Sequence, residues 1–288
     1  MCKLEVIDRI SACGSANRAN EDALGSNDHA AFVIDGATGL GDNQVMPDAG
    51  SDAAWLAGFA AARLAKGLTF GKSVPAVIRD CIMQAKSDFL SASQGDLPAR
   101  YAWPSASFIV LQIIENGIRF SGLGDCVAYT FKADKTVTFS PLLGFSEVEK
   151  GWASHHIGKT GGFGDGSDLL SNPETLEDLR TARALQNTAQ SGVWTLGLEP
   201  GAADHLLETN LEISGPTYSL LCSDGFAALV DTYNAYTPET LVETAISGGL
   251  NRLLGELRHI EEEVDPDGQR FPRFKRSDDA TAMLLRLS

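Results

Sequence analysis

The sequence predicts an α+β protein in which helices cover a largely antiparallel sheet or sandwich. Three observations carry this: apolar, β-branched runs that stop at acidic turns, two consecutive helical stretches behind the first strands, and a further helix ahead of a closing strand. Leu4 to Ile10 alternates in part and reads as the first strand. Ala30-Ala31-Phe32-Val33-Ile34 is a buried-type strand ending at Asp35-Gly36. Trp55, Leu56, Phe59 and Leu64 then fall at roughly helical spacing in an Ala-rich stretch, and a second helix is expected from Val74 to Leu90.

Strands return at Ser105. Ser107 to Ile114, Gly117 to Ser121, Val127 to Phe131 and Thr136 to Phe139 are separated by Glu-Asn-Gly, Gly-Asp and Ala-Asp-Lys turn signals. Residues 141–201 read as a Gly-rich, irregular flap inserted into one domain spanning 1–288. The flap's one expected helix runs from Glu174 to Gln190, with Leu176, Leu179, Ala182 and Leu185 on one face. Tyr218 to Cys222 is a further buried strand that stops at Ser223-Asp224-Gly225, Pro238 to Glu263 reads as one long helix, and Ala280 to Leu287 closes the chain as a strand.

A chain of 288 residues, 43% hydrophobic, is long enough to bury a sizeable core. Its net charge of -15 argues against nucleic acid as a main partner, because binding phosphodiester backbone needs clustered cations. The one basic cluster, Arg270, Arg273, Lys275 and Arg276, reads as a solvated loop, with local contact to a phosphate as the alternative. Cys2, Cys13, Cys81, Cys126 and Cys222 contain no C-x-x-C pair, which supports neither a zinc site nor a disulfide framework. The first twenty residues lack the basic start and long apolar run of a signal peptide, and no apolar stretch reaches transmembrane length. The expectation is a cytoplasmic monomer with no membrane partner.

The chemistry is carried by acids at strand ends. Val33-Ile34-Asp35-Gly36, Leu221-Cys222-Ser223-Asp224-Gly225 and Ser277-Asp278-Asp279-Ala280-Thr281 each join an apolar strand to a carboxylate, and Glu21-Asp22 and Gly124-Asp125 add more. A carboxylate at the rim of an apolar strand is costly unless paired, hydrated or metal-bound. Oxygen donors without His or Cys suit Mg²⁺ or Mn²⁺. Any single Asp-Gly pair is by itself an ordinary turn.

In chain order, the blocks Asn20-Glu21-Asp22-Ala23, Val33-Ile34-Asp35-Gly36, Pro104-Ser105-Ala106-Ser107, Gly122-Leu123-Gly124-Asp125, Leu221-Cys222-Ser223-Asp224-Gly225 and Ser277-Asp278-Asp279-Ala280-Thr281 resemble the PPM-type (type 2C) metal-dependent Ser/Thr protein phosphatases. The resemblance implies a four-layer αββα sandwich, a central antiparallel β-sandwich flanked by helices. It implies hydrolysis of phosphoserine and phosphothreonine in phosphorylated proteins by a metal-activated water, with two Mn²⁺ or Mg²⁺ ions per site and a third, weaker ion in many members. Asp35 would bridge two ions, with Asp224 and Asp278 completing the first and Glu21 and the Gly36 carbonyl the second. Asp125, with Asp224, would hold the third ion, and Asp22 would orient water behind Glu21. Asp35 and Asp224 are thereby the expected catalytic positions. The family's phosphate-binding Arg has no counterpart at Asn17, so Arg18 is the nearest candidate, with Arg9 behind it. Ala37 stands where many eukaryotic members have a His. The competing reading is a catalytically silent member of the same fold that acts as a regulatory binding module.

Three further signals lead elsewhere. Ala153 to Thr160 fits a relaxed nucleotide-binding loop pattern but lacks the preceding strand. His155-His156 reads as a surface pair, and Gly161 to Asp168 as a flexible loop with some Ca²⁺-loop character that could reach the rim of the site.

Overall fold

The computed structural model describes residues 2–132, 135–142, 145–163, 169–213 and 215–288. In chain order the strands are β1 (Leu4–Ala12), β2 (Ala23–Ser26), β3 (Ala30–Ala37), β4 (Ser105–Ile114), β5 (Gly117–Leu123), β6 (Val127–Lys132), β7 (Lys135–Phe139), β8 (Leu207–Leu211), β9 (Thr217–Cys222) and β10 (Ala280–Leu287). The α-helices are α1 (Asp52–Gly67), α2 (Val74–Ala92), α3 (Phe145–Thr160), α4 (Pro173–Leu185), α5 (Asp224–Asp231), α6 (Pro238–Gly248) and α7 (Leu250–His259).

The strands form two five-stranded antiparallel sheets, β1-β10-β9-β6-β7 and β2-β3-β4-β5-β8. The period of two along a strand explains how they stack. On β3, Ala31 and Val33 face the other sheet, where they meet Leu221, Met283 and Leu285, while Phe32 and Ile34 face α1 and α2. On β10, Met283, Leu285 and Leu287 turn to the same inter-sheet core, and Ala282 and Leu284 turn to the layer made by α5, α6 and α7. The result is the αββα order of layers.

Helix starts follow their local chemistry. Ser51 and Ser73 accept backbone N–H bonds from Ala54 and Ala76 at the first turns of α1 and α2, and Asn172 does the same for Glu174 and Thr175 ahead of Pro173. The long helix expected over 238–263 is broken: Gly249 at φ 79° ends α6 and α7 begins at once, in a conformation that suits glycine. The expected flap holds α3 as well as α4, and α4 ends at Leu185 rather than 190. The nucleotide-binding pattern at 153–160 lies wholly inside α3. Most of the Gly161 to Asp168 loop lies outside the described residues. Among the described residues no helix is long and apolar enough to cross a membrane.

Candidate metal centre

Antiparallel pairing brings the acids to one edge of the sandwich. Cys222, the last residue of β9, is paired with Val127 at the start of β6 and with Ala282 near the start of β10. Asp125 precedes β6, Asp224 follows β9 and Asp278 precedes β10, so all three emerge at the same end of one sheet. In the other sheet, Asp35 on β3 is opposite Ser107 on β4. The Ser107 hydroxyl accepts from the Asp125 backbone N–H at 3.3 Å, and the Asp224 N–H donates to Asp35 Oδ2 at 3.3 Å, which ties the two sheets together across the site.

Asp35, Gly36, Asp125, Asp224 and Asp278 line a cavity of about 880 Å³. Its opposite wall comes from residues 141–201, with Trp152, Leu170, Leu179 and Leu185 supplying apolar surface and Arg183 a cation. Glu21 is buried beside this cavity and accepts from Ser51 Oγ at 2.6 Å and Thr38 Oγ1 at 2.7 Å, which fix both of its oxygens. Arg18 is exposed on the β1–β2 connection, and neither it nor Arg9 is among the residues lining the cavity.

The like charges are expensive. Burial pushes Asp224 well above the usual carboxylate range, with Asp35, Asp125 and Asp278 adding to the effect. Burial likewise raises Asp35, with the charge of Asp22 next, and raises Asp125 against the counteracting hydrogen bond from Ser107. Asp22 is pushed up to about 8 by burial. Neither of its oxygens has a partner at good hydrogen-bond geometry among the described residues, and the neighbouring Thr281 hydroxyl, itself 2.8 Å from Ser11 Oγ, offsets only part of the burial. Burial also raises the thiols of Cys126 and Cys222, which removes them as nucleophiles.

These residues fit hard divalent cations. The donor set is carboxylate and carbonyl oxygen, the orphaned Asp22 oxygens can accept from a cation's water, and the backbone is cleared of side chains where it approaches the site. A Cβ at Gly36 would stand 2.3 Å from the Glu21 carbonyl oxygen, and one at Gly225 would stand 2.1 Å from that of Asp279. Among the described residues the acids gather around the cavity without three of them closing on a common point at ligand distance. The Lys275 ammonium donates to Asp278 Oδ1 at 2.5 Å. Burial opposes its charge, but Asp278, with Glu21 and Asp224 behind it, outweighs burial and holds the lysine above its usual pKa.

The basic cluster is only in part a solvated loop, since Arg270 is exposed while Arg273 and Lys275 are engaged. Lys275 is seated among the acids, and Arg273 makes a buried ion pair with Asp265 at 2.8 Å while capping the Asp265 carbonyl at 2.6 Å. The histidine pair also divides: His155 is exposed, whereas His156 is buried with its Nδ1 2.9 Å from Thr175 Oγ1 and its Nε2 3.6 Å from the Asp178 carboxylate. Asp279, which the blocks place beside a ligand, is a clasp. Its carboxylate accepts from the backbone N–H groups of Gly14 at 2.8 Å and Glu21 at 2.6 Å and so fixes the segment that carries Glu21.

Neither a protein-family model nor a curated protein sequence matches the chain. Solved structures do match. The catalytic domain of the serine/threonine phosphatase PstP in complex with two manganese ions aligns at TM-score 0.57 and 16% identity, covering 100% of this chain and 99% of that one. PppA of Pseudomonas aeruginosa, a regulatory component of its type VI secretion system, aligns at 0.55 and 16%, covering 100% and 98%. The PPM Ser-Thr phosphatase MsPP of Mycobacterium smegmatis, in complex with cacodylate, aligns at 0.52 and 14%, covering 98% of each chain. The fold is that of the PPM phosphatases.

Sequence reasoning missed Arg183 and Asp279 as parts of the site and passed over Lys275 in favour of a solvated loop. Arg183 had one signal: it is four residues beyond Leu179 and so borders the apolar face of α4.

Proposed function

We propose that the chain is a cytoplasmic metal-dependent phosphatase that hydrolyses phosphoserine and phosphothreonine in proteins, using two Mn²⁺ or Mg²⁺ ions. The observation that carries this is the concentration of Asp35, Asp125, Asp224 and Asp278 around one cavity, with three of them pushed up in pKa. Such a cluster is costly to keep unless cations offset it, which disfavours a silent regulatory module. The shared fold with manganese-bound PstP supports the same reading. So do five free cysteines, three of them buried, which suit a reducing compartment.

Asp35, Asp224 and Asp278 would hold one cation, and Asp35, Glu21 and the Gly36 carbonyl the other, with Asp125 and Asp224 available to a third. When bound, such a pair of cations lowers the pKa of water and neutralises the attacked phosphate. The chain's own contribution is position. Thr38 and Ser51 orient Glu21, Asp279 fixes its backbone, and Ser107 holds the Asp125 turn. Asp22 would accept from water on the far side of Glu21. The apolar wall from residues 141–201 narrows solvent access to the acids and strengthens charge interactions at the cavity floor.

Purified protein supplied with Mn²⁺ should hydrolyse p-nitrophenyl phosphate and a phosphothreonine peptide. Asp35→Asn and Asp224→Asn should each abolish both activities, and activity that survives both substitutions would reject the proposal.

A further inference from the structure

The cavity contains one cation that the metal chemistry leaves without a task. Arg183 stands on the last turn of α4 and lines the same cavity as Asp35, Asp125, Asp224 and Asp278. Its Nη1 is shut off from water and has no hydrogen-bond partner among the described residues. Leaving a guanidinium N–H unpaired in such a place is costly, and a native fold keeps it where something else completes it. Burial lowers the pKa of Arg183 to about 10, with Glu21 and Asp125 pulling the other way, so the group is still a cation at neutral pH.

The position is built rather than incidental. Arg100 donates from Nε to the Ala184 carbonyl at 3.3 Å and from Nη2 to that of Gln186 at 3.1 Å, holding the turn of chain that directly follows Arg183. Three residues earlier, Arg180 donates from Nε to the Leu40 carbonyl at 2.8 Å and binds Asp42 at 2.7 Å, which pins α4 to the segment after β3. Four anchoring bonds thus hold the end of α4 over the acids, while the guanidinium of Arg183 itself is spared from them. The other cation of the cavity, Lys275, is already engaged by Asp278.

We infer that Arg183 binds the phosphoryl group of the substrate, reaching the cavity from α4 instead of from the segment preceding Asn20. This rests on the phosphatase reading and adds the residue which that reading lacks. A guanidinium fork presents paired N–H donors that match two oxygens of a phosphate dianion, whereas an ammonium offers only a point charge. The anion would complete the orphaned Nη1 from one side while facing, from the other, the acids that would hold the cations.

The test compares wild type with Arg183→Ala and Arg183→Lys in three measurements: calorimetric titration of Mn²⁺, titration of inorganic phosphate into the Mn²⁺-loaded protein, and kcat and KM for p-nitrophenyl phosphate. Arg183→Ala should weaken phosphate binding roughly ten- to hundredfold and raise KM by a similar factor, as expected for loss of a charge-assisted pair away from water. Arg183→Lys should restore part of this, and neither variant should weaken Mn²⁺ binding. Phosphate affinity and KM within twofold of wild type would overturn the assignment, and so would a parallel loss of Mn²⁺ affinity, which would make Arg183 a support for the acids. If wild type fails to turn over the ester, the phosphatase reading falls, and the phosphate titration still decides for or against Arg183.

Discussion

Replacing Asp22 by Asn should stabilise the metal-free protein, although it removes a residue of the proposed site. Asp22 is held near pKa 8 in the fold against 3.8 for a free carboxyl, chiefly by burial. Between those values the unfolded chain has released the proton and the folded chain retains it, so folding stability falls as pH rises from about 4 to about 8 and is level above that. At pH 7 the difference spans about three pH units, which at about 1.36 kcal/mol per unit amounts to about 4 kcal/mol held against the fold. A neutral amide of the same shape removes that penalty. At roughly 2–4 °C per kcal/mol for a chain of this size, the melting temperature of Asp22→Asn should exceed that of wild type by roughly 10 °C at pH 7 in EDTA. At pH 5 only about one unit of the interval has been crossed, and the gain should shrink to roughly a third. The assay is differential scanning fluorimetry of both proteins from pH 4.5 to 8.5 in EDTA. Equal or lower melting temperature for Asp22→Asn at pH 8, or a gain that grows toward acid pH, would refute the argument.

Two other perturbations separate the cations and clasps of the site. Lys275→Ala removes an ammonium that any metal must displace from Asp278, so Mn²⁺ affinity measured by calorimetry should rise on the order of tenfold, while the metal-free protein melts lower because an acid has lost its counter-charge; weaker Mn²⁺ binding would instead make Lys275 an aid to metal capture. Asp279→Ala deletes two bonds from backbone N–H groups to a carboxylate, each worth about 1.5–3 kcal/mol, so urea unfolding should detect a loss of about 3 kcal/mol or more, with reduced Mn²⁺ affinity as the Glu21 segment loosens.

The parts of the fold that were legible are those whose burial alternates or repeats. β3, β4, β9 and β10 are nearly continuous apolar runs because they are covered on both faces, by the other sheet and by helices, and their turn signals mark their ends. β8 gave no such signal: it is an edge strand, exposed along most of its length, and β2 is only four residues long. α3 was missed because few of its described side chains are buried, among them Ala153, His156 and Ile157, and it contains two glycines that weaken helix propensity. The break at Gly249 left the apolar spacing intact on either side, so the spacing predicted one helix where the backbone turns.

The acids of the site were visible because each follows or precedes a buried strand, a position where an unpaired carboxylate is costly. Their convergence was not visible from any one of them; it depends on β9 pairing with both β6 and β10. The cations were hidden for a different reason. Lys275 and Arg183 are residue types that ordinarily lie in solvent, and only the tertiary packing of the 270–278 segment and of α4 brings them over the carboxylates.

The central claim, that these acids assemble to hold a pair of hard cations, is tested most directly by titrating Mn²⁺ into metal-free protein in a calorimeter. The account predicts saturable binding of two ions per chain, proton release that increases with buffer acidity, and loss of that binding in Asp35→Asn. No saturable heat, or wild-type binding retained by Asp35→Asn, would contradict it.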